Sequence, residues 1–344
     1  MSRLSFVAAL LLATISVLRG AESSPVLELE KRIIGGDFMP ENEAPYAVSV
    51  GLSKPGRGGG FCGGTLISDR HVLTAAHCLT TPGDKFQSSY TVTVGYNSQH
   101  RNKQTRVKAT KVDIHPIYYA NTNDDQYDIA VLTIPPIKFG IGAQRMPVDD
   151  GRLEPNQPLL AVGWGRTEEN NGLPNSLKRT TIKIGETNAC KRTVPGFDDN
   201  NGRRVCTVKS LTPGKNICMG DSGSGVSINR NGKEYFVGLG SRIWGFRGDA
   251  CMSANNVSTF VHIVRLLDFI MQKSGLTREY LLDKQANGPH KIPHKNKIDD
   301  SPQPDNKGDD SPQPDNKGDD SPPPAKEATR TVTKTVYLVI PMPT

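Results

Sequence analysis

The stretch that decides the fold of this chain is Cys218-Met219-Gly220-Asp221-Ser222-Gly223-Ser224-Gly225. It places one serine directly after an aspartate and between glycines, which is typical of a nucleophile on a tight, exposed turn. Gly220 leaves room for backbone N–H groups to face an oxyanion, and Gly223 tolerates backbone angles that other residues avoid. Clusters of Gly, Ser and Asp also form ordinary turns, so the stretch needs support from the rest of the chain.

One histidine and one aspartate earlier in the chain provide that support. A serine hydroxyl is a weak nucleophile and needs a base within hydrogen-bond reach. The candidate base is His77, in Leu73-Thr74-Ala75-Ala76-His77-Cys78. The candidate orienting carboxylate is Asp128, in Tyr127-Asp128-Ile129-Ala130-Val131-Leu132. Together with Ser222 they predict a Ser-His-Asp triad.

The three motifs, Thr-Ala-Ala-His-Cys, Asp-Ile-Ala-Val-Leu and Gly-Asp-Ser-Gly, resemble those of the trypsin/chymotrypsin-type serine peptidase family over residues 33–275. The chain order His, Asp, Ser distinguishes this family from other triad folds. The resemblance implies an all-β fold of two six-stranded antiparallel β-barrels with a C-terminal helix. It also implies hydrolysis of peptide bonds through an acyl-enzyme, with His77 as the base and Asp128 as its orienting partner. The N–H groups of Gly220 and Ser222 would form the oxyanion hole, and no cofactor or metal is expected.

Composition divides the 344 residues into four segments. Residues 1–23 have a positive start and an apolar core, which predicts a secretory signal peptide. Residues 24–32 are a predicted activation propeptide, and residues 33–282 are the predicted peptidase domain. Residues 283–344 contain Asp/Pro-rich repeats with little apolar surface to bury, which predicts a disordered tail. We therefore expect a secreted, extracellular monomer without a membrane span.

The six cysteines behind a secretory signal favour disulfides over zinc. Spacing alone leaves every pairing open. The resemblance implies three pairs, namely Cys62–Cys78, Cys190–Cys206 and Cys218–Cys251. A metal site at His77 and Cys78 is the alternative, but no second pair of ligands lies near them in the sequence.

The predicted floor of the specificity pocket is uncharged. In the resembled family, trypsin-like members have an aspartate six residues before the nucleophile, whereas this chain has Asn216. A second pocket-base position falls at Ser258. A buried cation would then lack a counter-ion, so we expect neutral side chains to be preferred over Arg and Lys. Asp249 is left open as an alternative source of negative charge in the pocket wall.

The dibasic pair Lys31-Arg32 directly precedes Ile33-Ile34-Gly35-Gly36. The resemblance implies activation by cleavage after Arg32, which would free an amino group on Ile33 to pair with Asp221. Because the pocket is not predicted to be tryptic, a separate dibasic-cutting peptidase is expected to do this.

One stretch of the pocket wall departs from the family. The family's Ser-Trp-Gly, which lines the substrate strand and supports the triad aspartate, is replaced by Ile243-Trp244-Gly245 or is interrupted by an insertion after Ser241. The first alternative makes Trp244 and Gly245 substrate-binding residues and removes a hydroxyl partner from Asp128. The sequon at Asn256 offers a candidate glycosylation site close to the pocket.

A non-catalytic homologue that acts as a protein-binding module is the competing function, although an intact triad argues against it. A third hypothesis, based on the repeats alone, is that the Asp/Pro-rich tail attaches the protein to a surface. The basic run from His100 to Lys111, which alternates over Arg106–Val112, predicts a solvated strand and no nucleic-acid site, because it has no interleaved aromatic residues. Residues 96–108 contain no Asp or Glu, so no calcium is expected there.

Local patterns predict seven strands and one helix. The strands are expected at 46–52, 65–73, 90–95, 106–114, 129–134, 177–184 and 234–240. The helix is expected from Thr259 to Ile270, ended by Ser274-Gly275.

Overall fold

The computed structural model describes residues 36–80, 85–120, 125–166, 172–208, 211–213, 215–245, 251 and 256–284. These residues lie within a unit that spans residues 1–288. The predicted signal peptide and propeptide, the predicted tail from residue 285 onward, Ile33 and Asp249 lie outside the described residues and stay predictions. No helix in the described part is long and apolar enough to cross a membrane.

Strands dominate the described chain, and all of their pairings are antiparallel. The strands are β1 (Asp37–Phe38), β2 (Ala47–Lys54), β3 (Arg57–Leu66), β4 (His71–Thr74), β5 (Thr91–Tyr96), β6 (Thr105–Lys108), β7 (Lys111–Ile114), β8 (Ala130–Thr133), β9 (Pro158–Gly163), β10 (Lys178–Lys183), β11 (Arg204–Val208), β12 (Gly225–Arg230), β13 (Lys233–Trp244) and β14 (Val257–His262). The α-helices are α1 (Pro116–Ala120), α2 (Thr187–Thr193), α3 (Leu267–Ser274) and α4 (Arg278–Leu282).

The first sheet has the order β6-β5-β2-β3-β4-β8-β7. Its two outer strands, β6 and β7, are the halves of one run that bends at Ala109 and Thr110. Because β6 pairs with β5 and β7 pairs with β8, the run closes the sheet into a barrel. The single strand predicted for 106–114 is therefore two strands.

The second sheet has the order β1-β10-β9-β12-β13-β14-β11. A bridge between Ile184 and Thr207 connects the end of β10 to β11 and brings the two sides of this sheet together. These two sheets confirm the all-β fold class. Each sheet has seven strands where six were expected, because the bend divides one strand of the first and the two-residue β1 adds to the second.

The helix predicted from Thr259 is wrong over its first four residues, and the next four, Ile263–Leu266, form a 3-10 helix. Residues 257–262 form β14, and α3 begins only at Leu267. All six residues of β14 are buried although Ser258, Thr259 and His262 are polar, so its sequence does not alternate between apolar and polar residues as a half-buried strand does. The predicted end of the helix is correct, since Gly275 takes the left-handed conformation that ends α3.

One hydrophobic cluster contains buried residues of both barrels. The first barrel contributes Ile67 and Leu73, and the second contributes Trp164 and Phe236, all of them almost fully buried. Burial of each such side chain stabilises the fold by about 1.5–3 kcal/mol. This packing fixes the positions of the loops at the barrel junction relative to one another. Those loops carry the candidate site.

Three disulfides connect the loops to the barrels, and they are the pairs that the resemblance implies. They are Cys62–Cys78, Cys190–Cys206 and Cys218–Cys251. The first holds the His77 loop to β3, and the third holds the Asn216–Met219 segment to Cys251. Each contributes about 2–4 kcal/mol to stability.

Candidate active site

His77 and Asp128 are brought together by the pairing of two strands. His77 lies in a single helical turn just after β4, and Asp128 lies just before β8. Because β4 pairs with β8 with Thr74 opposite Ala130, the two loops leave the sheet side by side. His77 Nδ1 is 2.7 Å from Asp128 Oδ2, and the His77 backbone N–H donates to Asp128 Oδ1 over 2.9 Å.

Ser241 provides a third hydrogen bond to the same carboxylate. Its hydroxyl donates to Asp128 Oδ2 over 2.5 Å. The structure therefore decides between the two alternatives for this wall. Ser241 keeps the hydroxyl partner of Asp128, and the departure from the family pattern comes after it, at Arg242 and Ile243.

The pKa values of the His77 and Asp128 side chains are coupled. Burial raises the pKa of Asp128, but attraction to His77 and the hydrogen bonds from His77 and Ser241 outweigh it and hold the pKa below its usual range. Burial lowers the pKa of His77, but the charge and hydrogen bond of Asp128 outweigh it and raise the pKa. An ionised Asp128 only accepts hydrogen bonds, so it places the proton on Nδ1 and leaves Nε2 to accept one.

Ser222 and His77 line the same cleft at the junction of the barrels. The cleft has a volume of about 290 Å³. Its described lining residues are His77, Ile217, Cys218, Met219, Ser222, Gly240, Ser241, Arg242 and Ile243. The Ser222 carbonyl accepts from Gly63 N–H over 2.9 Å, and Gly223 N–H donates to the Gly240 carbonyl over 2.8 Å. Both barrels thus hold the serine loop in place.

The serine loop has the backbone geometry that its glycines suggest. Gly220 and Gly223 have φ values of +96° and +72°, where other residues are strained. The N–H groups of Asp221, Gly223 and Ser224 all donate to backbone carbonyls. The N–H groups of Gly220 and Ser222, the predicted oxyanion donors, make no backbone hydrogen bond with the described residues.

Asp221 is fully buried beneath the loop. Its carboxylate accepts from Gly165 N–H over 2.7 Å and from Cys218 N–H over 2.9 Å. A Cβ on Gly165 would lie 2.3 Å from this carboxylate, which explains the glycine there. Burial raises the pKa of Asp221 to about 6, although both hydrogen bonds oppose the rise.

Asn216 and Ser258 are joined at the base of the predicted pocket, where both are buried. The Ser258 hydroxyl donates to Asn216 Oδ1 over 3.0 Å, and Asn216 Nδ2 donates to the Cys251 carbonyl over 3.1 Å. The amide of Asn216 is thus held by the Cys218–Cys251 region. This floor carries no charge among the described residues.

The described wall of the cleft includes two residues next to those predicted, and substrate binding by Trp244 and Gly245 stays a prediction. Arg242 and Ile243 line the cleft, whereas Trp244 and Gly245 are not among its described lining residues. Trp244 instead donates from Nε1 to Thr259 Oγ1 over 3.1 Å and lies beneath the Arg242 guanidinium. The sequence contained one indication of this wall. Ser241 is the hydroxyl residue closest to the stretch that departs from the family's Ser-Trp-Gly, and it could therefore have been predicted to bind Asp128.

Asn256 does not offer a surface for a glycan. Its exposed fraction is 0%, in the residue directly before β14. A glycan needs room in solvent, so the folded structure is inconsistent with the predicted glycosylation of Asn256.

Cys62, His77 and Cys78 form a compact group of atoms of the kind that ligate metals. Both sulfurs belong to the Cys62–Cys78 disulfide, which leaves them without a thiolate to offer. His77 is likewise engaged with Asp128. The residues of this group do not fit a metal.

Comparison with known proteins identifies relatives of the chain. The family model described as Trypsin matches residues 33–270. Trypsin 5G1 of Aedes aegypti is 30% identical over 251 residues, which cover 71% of this chain and 86% of the relative. Chymotrypsin-like elastase family member 1 of Bos taurus is 28% identical over 244 residues, covering 67% and 86%. The vitellin-degrading protease of Bombyx mori is 34% identical over 222 residues, covering 62% and 78%.

A solved structure described as HL collagenase has a similar fold. Its TM-score is 0.59 at 24% identity, and the match covers 71% of this chain and 100% of that one. With two antiparallel barrels and a family match over most of the chain, this protein belongs to the trypsin family of serine peptidases.

Proposed function

We propose that this chain is a secreted serine endopeptidase that uses His77, Asp128 and Ser222 as its triad. The observation that carries the proposal is the 2.7 Å contact between His77 and Asp128 in a cleft that Ser222 also lines. Members of this family are serine endopeptidases. Three disulfides support secretion, because disulfides persist in oxidising compartments.

In the proposed mechanism, His77 Nε2 takes the proton of Ser222 as its oxygen attacks a peptide carbonyl. Asp128 stabilises the imidazolium that forms, and Ser241 helps to hold the carboxylate in place. The N–H groups of Gly220 and Ser222 would stabilise the oxyanion, and one such donor is worth about 10²–10³ in rate. His77 then protonates the leaving amine, and water hydrolyses the acyl-enzyme.

Activation is proposed to depend on Asp221. Cleavage after Arg32 by a separate dibasic-cutting peptidase would create an amino group on Ile33. A buried carboxylate with a raised pKa favours a new cationic partner, because the pair would relieve the cost of the buried charge. The enzyme is proposed to act on peptide and protein substrates as a monomer.

In the unprocessed chain, the contribution of Asp221 to stability should become unfavourable as pH rises from about 4 to about 6. The pKa of Asp221 is raised from 3.8 to about 6, so the folded state binds its proton more tightly than the unfolded state. This group therefore disfavours folding progressively as pH rises through that window, by about 3 kcal/mol in total. We expect urea unfolding to show that the wild type loses stability across this window relative to the Asp221→Asn variant.

Asp221→Asn also loses one hydrogen-bond acceptor, but that cost does not change with pH. The difference in stability between wild type and variant should therefore vary across pH 4–6, and cleavage after Arg32 should reduce the variation. A difference that is constant with pH would contradict the role of Asp221.

The proposed substrate preference is for neutral side chains. Asn216 and Ser258 are buried and hydrogen-bonded to each other, and neither offers a counter-ion for a cationic side chain. An unpaired buried charge is costly, which would disfavour Arg and Lys in this pocket.

The test is digestion of a peptide library by protein cleaved after Arg32, read by mass spectrometry, with a Ser222→Ala copy in parallel. We expect cuts mainly after neutral residues in the wild type and none in the copy. Cuts mainly after Arg or Lys would refute the pocket argument and direct attention to Asp249. If neither protein cuts although the new Ile33 terminus is present, the peptidase proposal fails and a protein-binding homologue replaces it.

A further inference from the structure

Arg242 is a half-buried cation in the cleft wall that has no carboxylate partner among the described residues. The buried or half-buried arginines elsewhere in the second barrel are paired, with Arg204 bound to Asp125 at 3.0 Å and Arg230 bound to Asp149 at 2.9 Å. The Arg242 guanidinium carbon instead lies 5.0 Å from the ring centre of Trp244. Its charge is therefore stacked on an aromatic face and not neutralised.

The carboxylates near Arg242 are engaged with other groups. Asp125 binds Arg204 and accepts from the Thr259 hydroxyl over 3.1 Å. Asp128 binds His77 and Ser241. The Arg242 charge nevertheless lies close enough to lower the pKa values of both His77 and Asp125, as one of several influences on each. The described groups around Arg242 thus leave its positive charge available to a ligand.

The strand that carries Arg242 has an open edge beside the cleft. On one side β13 pairs with β14, with Arg242 opposite Thr259 and Ile243 opposite Ser258. On the other side its pairing with β12 ends at Leu239. Beyond that point, no strand in the described chain occupies this edge, and an extended peptide can add there through backbone hydrogen bonds.

The register of β13 shows which part of a substrate would meet Arg242. Ile243 is opposite Ser258, and Ser258 binds Asn216 at the floor of the proposed pocket. The side chain at the attacked carbonyl would enter that pocket, so the residues before the scissile bond would extend along β13. Those residues pass Arg242.

We propose that Arg242 makes the cleft selective for substrates with an acidic side chain two to four residues before the scissile bond. The proposal rests on the peptidase function proposed above and adds a substrate class to it. The apolar lining of Ile217, Met219 and Ile243 would limit water around the pair. A charge-assisted hydrogen bond in such a site corresponds to roughly tenfold in kcat/KM.

The experiment compares peptides that differ only by Glu or Gln at the second, third or fourth residue before the cleaved bond. Wild type cleaved after Arg32 should prefer Glu roughly tenfold at one of these positions, and added salt should reduce the preference. Arg242→Gln should lose the preference. The matched control is Arg203→Gln, which removes the same charge from an exposed residue outside the described lining and should keep the preference.

The pH profile gives a second readout that a purely structural role would not change. Because the Arg242 charge lowers the pKa of His77, Arg242→Gln should move the acidic limb of the kcat/KM profile to higher pH. If Arg242→Gln does not cleave at all, Arg242→Lys decides the matter, since it retains the charge and should retain a preference for Glu.

Equal cleavage of the Glu and Gln peptides by wild type would overturn the proposal. So would a preference that survives in Arg242→Gln, or one that is lost in an active Arg242→Lys. Cleavage of the Gln peptide by wild type in any of these cases would leave the proposed peptidase function standing, so the two failures are distinguishable.

Discussion

Replacing Ser222 with alanine is expected to reduce kcat by about 10⁶, the scale seen when a triad loses its nucleophile. The hydroxyl is the atom that would form the acyl-enzyme, and the described cleft offers no other hydroxyl beside His77 than that of Ser241, which is bound to Asp128. The measurement is kcat on a neutral peptide taken from the library digest. The variant should keep the stability of the wild type in urea, because Ser222 holds the loop through its carbonyl and not through its hydroxyl.

Substitutions of Asp128 and Ser241 should lower kcat by less than the substitution of Ser222, and by different amounts. Asp128→Asn should lower kcat by about 10⁴, a magnitude carried over from the family's well-studied members, because an amide favours the wrong His77 tautomer. Ser241→Ala removes only one of three hydrogen bonds to the carboxylate and should cost much less. A kcat for Ser222→Ala within tenfold of wild type would exclude the triad mechanism.

Replacing Gly223 with alanine is expected to lower the free energy of unfolding by about 3–5 kcal/mol. The residue has a φ of +72°, which strains any side chain. A Cβ there would also lie 2.7 Å from the Gly63 carbonyl oxygen and 2.9 Å from the Ala75 backbone nitrogen. Backbone atoms cannot move aside cheaply at the barrel junction, so the serine loop or the His77 loop would shift. Urea unfolding with the disulfides intact measures the loss.

Gly275 is the matched control for this substitution. It has the same φ of +72°, but a Cβ built on it meets no atom within 4 Å. Gly275→Ala should therefore show the strain alone, about 1 kcal/mol, and should leave activity unchanged. Equal losses in the two variants would mean that contact across the barrel junction contributes nothing at Gly223.

The elements that the sequence predicted well are those whose signal is local. Strands near 46–52, 90–95 and 129–134 appear as β2, β5 and β8, because alternating or β-branched runs between turn residues identify strands directly. Gly275 ends α3 for a reason that is also local. β14 was missed because burial on both faces removes the alternation, and the glycine-rich β3 because glycine disfavours strands by itself.

The candidate site shows the same division. The residue types His77, Asp128 and Ser222, their order and the uncharged Asn216 can all be read from the printed sequence, because the chemistry belongs to the side chains. Their convergence depends on β4 pairing with β8 and on the serine loop binding Gly63 in the other barrel. These contacts join residues far apart in the chain, and no local pattern encodes them.

The sequence by itself determined the family of this protein and pointed to the residues that we propose as its triad and pocket floor. Only the tertiary structure decided that Ser241 supports Asp128, that Arg242 and Ile243 form the cleft wall and that Asn256 is buried. The physical reason is that a one-residue change of register in a strand exchanges its two faces. The register of β13 is set by its pairing with β14 and by the packing of both barrels, which involve residues throughout the chain.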